Sequence, residues 1–332
     1  MNNRKQGACG RVDIGGQAVL EGVMMKAPDA IAISVRRPNG TIVTRRTPYV
    51  PLSKKHPWMG WPIVRGIVNF VTMLSMGMSV LQQSTDMLGM LDEEPSKFEK
   101  WLSQKLGKGI DKIVMAVAIV LAVILSIGLF FVIPELYARL LKAWMPDPSS
   151  NWLINLLSGI LRILILIGYI LFCAKVPDVR RTFEYHGAEH KTVYCNEHGL
   201  PLTPENAQQF TTLHPRCGTS FIIITLLVSI LVYSVVPITP ELFKDLLNTS
   251  SDTVAIMLRT VCKLLLLPIV VGFAYELIKL AGRCDNIVTR IFSAPGLWMQ
   301  RITTKEPDDS MIEVAIAAVT PCLPKEGEDD NW

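Results

Sequence analysis

The sequence predicts an all-α polytopic membrane protein of about four transmembrane helices, with a small β-containing N-terminal region on the cytoplasmic side. Three observations carry that expectation. Half of the 332 residues are apolar and 19% are charged, below the roughly one quarter charged of an ordinary soluble domain. Four runs, 113–136, 152–174, 219–237 and 254–279, reach or nearly reach the ~20 apolar residues a spanning helix needs. Basic residues alternate between the connections. Sixteen Lys and Arg precede the first run, two lie in 137–151, five in 175–218 and one in 238–253, and Arg283, Arg290, Arg301, Lys305 and Lys325 follow the last. That alternation places both termini and the 175–218 connection in the cytoplasm and two short connections outside.

Taken in order, residues 1–61 form an N-terminal cytoplasmic region. Met1 to Gly16 is polar with no apolar stretch, so no cleaved signal peptide is expected. Gly15-Gly16 suggests a turn or a close backbone approach, followed by a short helix or strand. Glu21, among apolar neighbours, is either a surface carboxylate or a buried acid that joins a site. Two β-branched runs flank Pro38-Asn39-Gly40 and read as a hairpin. Both strands end in arginine pairs, Arg36-Arg37 and Arg45-Arg46. These are either solvated or contact anionic lipid head groups, at about 1 kcal/mol each near the surface.

Region 62–112 opens with 62–82, which is moderately apolar but interrupted by Arg65 and Asn69 and preceded by Trp58 and Trp61. It reads as an amphipathic or re-entrant helix at the inner leaflet, followed by a charged, exposed linker at 91–100. Region 113–280 carries the four spans. Arg162, near mid-span, is expected to face the bundle interior or a partner, because an exposed charge there costs several kcal/mol. Arg259 and Lys263, in the first half of the fourth span, are placed to snorkel outward. Region 281–332 reads as a helix and an acidic tail.

The chemistry concentrates in 175–218. His186-Gly187-Ala188-Glu189-His190 is H-x-x-E-H, the inverted order of the zinc-protease motif. On a helix His186 and His190 share a face and reach one ion, and Glu189 lies near enough to take a proton from a metal-bound water. Four of the five histidines, His186, His190, His198 and His214, fall in this stretch, with Cys195 and Cys217 in or beside it. A catalytic zinc takes three protein ligands and a water. His214, Cys217 and Glu276 are the leading candidates for the third, with His198 and Cys195 behind them. Cys217 precedes the third span, where free helix N–H groups favour an anion. Glu276 sits near the cytoplasmic end of the fourth span, and in inverted-motif proteases a downstream acid completes the shell. Cys217 with His214 also allows a thiolate nucleophile with a neighbouring base.

The segments IGGQAVLEGVMMK, FEYHGAEHKTVYCNE, HPRCGTSF and FAYELIKLAGR, in this order, resemble the bacterial YqhQ-like family, domain of unknown function 1385, over residues 10 to 318 or so. The resemblance implies a membrane-associated, metal-dependent enzyme in a bacterial plasma membrane. It marks His186, Glu189, His190, His214 and Cys217 as motif positions, and it implies no substrate.

The expected function is a metal-dependent membrane enzyme, hydrolytic, with zinc as the favoured divalent ion. Its partners are membrane lipid and a peptide or lipid-linked substrate. The alternative is a non-enzymatic scaffold or transport component with a structural metal site; the scarcity of polar residues in the spans weighs against transport. Seven cysteines without regular spacing predict reduced thiols over a disulfide framework. No basic block with interleaved aromatics points to nucleic acid.

Overall fold

The computed structural model describes residues 14–89, 110–215, 217–236, 238–248, 250–283 and 287–323. It is mostly helical, with a small N-terminal antiparallel sheet. Helices of five residues or more are numbered below. The chain forms two compact units, one of residues 1–90, 170–228 and 264–332, the other of 91–169 and 229–263.

The first unit is built on four antiparallel strands in sequential order: β1 (Gly15–Val19), β2 (Gly22–Lys26), β3 (Ala30–Arg36) and β4 (Ile42–Pro48). The stretch after Gly15-Gly16 is thus a hairpin, Val19 opposite Gly22, with Glu21 at φ 48° in its two-residue turn. The expected β3–β4 hairpin forms around Pro38-Asn39-Gly40. Gly40 has φ 84° and its N–H donates to the Arg37 carbonyl at 2.8 Å.

Side chains alternate across a strand, and here the two faces meet different helices. Val23, Met25 and Ala32 enter a core with Tyr185 and Ala188 of α5 (Pro177–Glu197) and Ile312, Ala315 and Val319 of α11 (Asp309–Val319). Met24, Ile33 and Val35 meet Val80, Met87 and Leu88 of α1 (Val64–Leu88) on the other face. The sheet is therefore a middle layer. Each large apolar side chain so buried stabilises by about 1.5–3 kcal/mol.

The 62–82 segment belongs to α1, one uninterrupted helix of 25 residues that does not turn back on itself. From Met76 onward α1 packs on the sheet. Its first half meets α7 (Gly218–Val235) and α9 (Asp252–Arg283) within this unit. The Phe70 and Phe221 rings lie 5.8 Å apart. A Cβ on Gly66 would stand 2.8 Å from the Gly272 Cα, so the two backbones touch. The unit also holds α6 (Pro204–Gln208) and α10 (Ile287–Thr303).

The basic hairpin is largely used inside this unit. Arg36 pairs with Glu313 at 2.7 Å, Arg37 donates to the Met87 carbonyl at 2.8 Å, and Arg46 donates to the Pro321 carbonyl at 2.9 Å.

In the second unit α2 (Ile110–Ile127) runs through a π-helical stretch, Gly128–Val132, into α3 (Ile133–Trp144). The wide turns sit just before Pro134, whose ring cannot complete the ordinary ladder. α4 (Asn151–Cys173), α8 (Pro240–Leu247) and parts of α7 and α9 complete the unit. A Cβ on Gly159 of α4 would lie 2.5 Å from Ile230 Cγ2, so only glycine permits that approach. Among the described residues, five helices are long and apolar enough to cross a membrane: Val64–Leu88, Ala116–Trp144, Asn151–Cys173, Gly218–Val235 and Asp252–Leu277. The last four coincide with the expected spans, the first of those extending on to Trp144. The linker 91–100 and the acidic tail lie outside the described residues.

Candidate metal centre

About half of the 175–218 connection is α5, a helix of 21 residues, with Pro177 and Asp178 in its first turn. A first-turn Pro gives up an N–H that has no helical partner anyway, and an acid there complements the helix dipole. H-x-x-E-H is thus realised on a helix, and the His186 and His190 ring centroids stand 4.5 Å apart.

Two passing segments orient the rings. The Thr303 carbonyl, at the end of α10, lies 2.9 Å from His186 Nδ1, and the Thr212 carbonyl bonds His190 Nδ1. A carbonyl only accepts, so in the neutral rings each Nδ1 carries the hydrogen and each Nε2 keeps its lone pair. The Cys217 sulfur lies 3.3 Å from His186 Nε2, and the three ligand atoms lie within 4.8 Å of one another. His190 Nε2 is buried and makes no hydrogen bond among the described residues. Burial lowers the His190 pKa, which keeps the ring neutral. A buried acceptor left without a donor costs about 1–3 kcal/mol, and a cation at the convergence point removes that cost.

One pair in the cluster, His186 and Cys217, is spaced as two ligands of one zinc would be. Ligand atoms around a tetrahedral zinc with Zn–N of about 2.0–2.1 Å and Zn–S of about 2.3 Å stand roughly 3.3–3.6 Å apart, close to the His186–Cys217 separation. Carbonyl clamps on the far ring nitrogens are also what orients metal-bound histidines generally.

Glu189 is buried, with Oε2 3.8 Å from His186 Nε2 and 3.7 Å from His190 Nε2. Burial raises its carboxyl above the usual range, opposed by His186, His214 and the Gly16 N–H. Gly16 must lack a side chain, because a Cβ there would sit 2.7 Å from Glu189 Cγ and from the Met24 carbonyl. Gly187 is constrained likewise: its Cβ would fall 2.0 Å from the Lys305 carbonyl oxygen.

Cys217 immediately precedes α7, and the Thr219 N–H donates to its sulfur at 3.4 Å, as its place before a helix start led us to expect. The remaining candidates go elsewhere. His214 is buried behind His190, ring centroids 5.6 Å apart, with Nε2 3.3 Å from Glu197. The Cys217 sulfur is matched by His186 and not by His214. Glu276 forms two hydrogen bonds with Arg65, so α9 contributes a strut to α1 and not a ligand. Glu21 makes two 2.6 Å bonds to Arg181. Cys195 is in the core, its thiol 3.5 Å from the Pro201 carbonyl. His198 caps α5 and bonds the Tyr194 carbonyl.

Gln300 was not foreseen. It is fully buried, its Oε1 accepts from the His214 N–H at 2.7 Å, and its Nε2 donates to the His214 carbonyl at 2.8 Å and to Ser220 Oγ at 2.9 Å. It thereby fixes the backbone at His214, which lies between Thr212 and Cys217. The one sequence signal was an amide between Met299 and Arg301 in an amphipathic helix, where nothing marks it as buried.

Fold and site define a mostly helical protein, with several helices able to cross a membrane and a His-His-Cys cluster next to a small sheet. A family model described as protein of unknown function (DUF1385) matches residues 61–325. "Uncharacterized protein YqhQ" of Bacillus subtilis (strain 168) is 33% identical over 311 residues, 93% of this chain and 92% of that relative. The chain belongs to the DUF1385 family. No solved structure matches it.

Proposed function

We propose that the chain is a four-span bacterial plasma-membrane protein with both termini cytoplasmic. We further propose that it uses a zinc centre at His186, His190 and Cys217 to hydrolyse a peptide or lipid-linked substrate near the inner leaflet. The carrying observation is His190 Nε2: a buried lone pair with no donor, aimed where a second imidazole and a thiol converge.

The membrane reading is supported by what the long helices leave uncovered. Leu121 and Ile124 are each 60% exposed and Leu265 is 72% exposed. Large apolar side chains left this exposed along whole helices exceed what a soluble monomer tolerates. Of the five helices, α1 is the one that stops short. Residues 76–88 lie against the sheet, which leaves 64–75, roughly 18 Å of helix at 1.5 Å per residue, against about 30 Å of hydrocarbon.

Three protein ligands leave a fourth position, the pattern of a catalytic rather than a structural zinc. When bound, the metal supplies a Lewis acid and lowers the pKa of a water toward neutrality. Glu189, on the flank of both Nε2 atoms, would take the proton.

The test is bound metal in the full-length protein purified in detergent. Near one equivalent of zinc, lost in a His186→Ala/His190→Ala double variant and kept in Glu189→Gln, supports the reading. No stoichiometric metal after growth with added zinc sinks it. Metal retained with every phenotype intact in Glu189→Gln leaves a structural site in a scaffold.

A second reading is favoured by the 3.3 Å separation of Cys217 Sγ and His186 Nε2, which suits a thiol nucleophile with an adjacent base. Alkylation separates the two. Under the first reading a chelator exposes Cys217 to iodoacetamide, and under the second the chelator changes nothing.

A further inference from the structure

The second unit holds a polar crevice that the metal centre does not explain. Glu135, Asn155, Arg162, Tyr233, Arg259 and Lys263 line it. Three of these are cations and one is an anion. The Glu135 carboxylate is already committed, hydrogen-bonded to Arg259 and 3.7 Å from Arg139. Arg162 and Lys263 form no ion pair among the described residues. Lys263 Nζ instead stands 5.3 Å over the Tyr233 ring. Arg259 Nε is buried with no hydrogen-bond partner.

The scarcity of polar groups in the spans is therefore apparent only along the sequence. The helices gather the few there are into one place, with charge left over. Arg259 was placed to snorkel outward but turns to Glu135, and Arg162 faces the crevice as expected. Buried charges in a membrane are rare and are balanced by a partner. Within this crevice the balance is short by two negative charges.

We propose that the crevice binds a phosphate oxyanion, carried either by an anionic lipid head group or by free phosphate. The cations suit it, since guanidinium and ammonium N–H groups form short, charge-assisted hydrogen bonds to a phosphate oxygen. The free space at the centre is about 10 Å³, room for roughly one oxygen-sized group. One phosphate oxygen enters and the remainder of the group stays at the lip. The depth is suitable too. Arg259 follows the start of α9 at Asp252, and Glu135 precedes the end of α3 at Trp144, by roughly 10 and 14 Å of helix. Under the proposed topology those ends are the outer ones. The inference rests on the membrane reading of these helices and is independent of the zinc centre.

The test uses full-length protein in a neutral detergent, with native mass spectrometry and thermal shift as readouts. The probes are phosphatidylglycerol, inorganic phosphate and phosphate-free diacylglycerol. Retention or stabilisation by phosphatidylglycerol alone assigns the lipid source, and a shift with inorganic phosphate assigns the free ion. Arg162→Gln and Lys263→Gln should each weaken binding about tenfold or more, the weight of one charge-assisted contact. Glu135→Gln, which removes the acid competing for Arg259, should strengthen it. Melting temperature and zinc content identify a variant that has lost its fold, and the other two then carry the test. No response to either phosphate probe, or wild-type binding in both glutamine variants, overturns the proposal. Release of the chain from membranes by alkaline carbonate would instead refute the membrane reading beneath it.

Discussion

Gly187→Ala tests whether the segment after α10 packs against the proposed metal centre. In a helix this exchange ordinarily stabilises by about 1 kcal/mol, because glycine is the poorer helix former. Here the new Cβ would stand 2.0 Å from the Lys305 carbonyl oxygen and 3.2 Å from Thr212 Cγ2. The carbonyl cannot yield alone. The Lys305 N–H is bonded to the Phe183 carbonyl at 2.9 Å, and the next residue, Glu306, pairs with buried Lys191 at 2.9 Å. Overpacking of this kind costs about 1–3 kcal/mol, and a clash with pinned backbone belongs at the upper end. The net expectation is a loss of about 2 kcal/mol, opposite in sign to the intrinsic effect. The displaced segment also carries the Thr303 carbonyl that orients His186. Disturbing such an outer contact lowers metal affinity about 10- to 100-fold. Thermal unfolding in detergent and zinc competition against a chelator read the two effects. A variant at least as stable as wild type, with unchanged zinc affinity, would show that Lys305 does not seat against α5.

The adjacent glycines of β1 should separate cleanly. Gly15→Ala meets nothing within 4 Å and should stay within about 0.5 kcal/mol of wild type, whereas Gly16→Ala strikes Glu189 and the Met24 carbonyl and should lose both stability and any hydrolytic activity. Cys322 sets a pH dependence: burial raises its thiol from 9.0 to about 11. The folded state therefore holds this proton more tightly than the unfolded one. Its contribution is whole below pH 9 and is lost as pH rises toward 11, about 2 kcal/mol by linkage. Cys322→Ala should flatten the unfolding free energy across that interval, and an unchanged slope would rule the thiol out. Finally, Ser53→Cys and Asp86→Cys, introduced before and near the end of α1 into a cysteine-free background, should label from the same side of the membrane. Labelling from opposite sides would make α1 a fifth span.

What could be read along the chain was what periodicity and spacing encode. Apolar runs gave the four long helices of 116–277, Pro38-Asn39-Gly40 gave the β3–β4 turn, and H-x-x-E-H put two imidazoles on one helix face. Cys217 was legible as a residue just ahead of a helix. The β1–β2 hairpin was half legible, because its close approach was read at the glycine pair but its purpose, making room for Glu189, belongs to a residue far along the chain. Glu276 was misjudged for a related reason. An acid at the end of a span asks for a partner, but the sequence does not say whether that is a metal or, as here, the guanidinium of Arg65. Glu135 escaped notice because it is the next-to-last residue of the 113–136 run, where an acid reads as the end of a span and not as a group of the interior.

The deeper gap concerns how the site is specified. Thr303 and Thr212 act through main-chain carbonyls, which leave no trace in residue identity, and they reach the histidines across 117 and 22 positions. Gln300 fixes one of those segments and lies in the last turn of α10, whose final residue, Thr303, is the other clamp, so a single buried amide couples both. The pairing of lone pairs that invites a cation is therefore a property of the assembled first unit and not of the five-residue motif. A copy of H-x-x-E-H on an isolated helix would leave each ring free to turn and each Nδ1 free to compete for the ion. Binding at this site thus requires the sheet, α5, α10 and the 211–217 segment to be in place, and the binding energy of an ion held there returns to the stability of that arrangement.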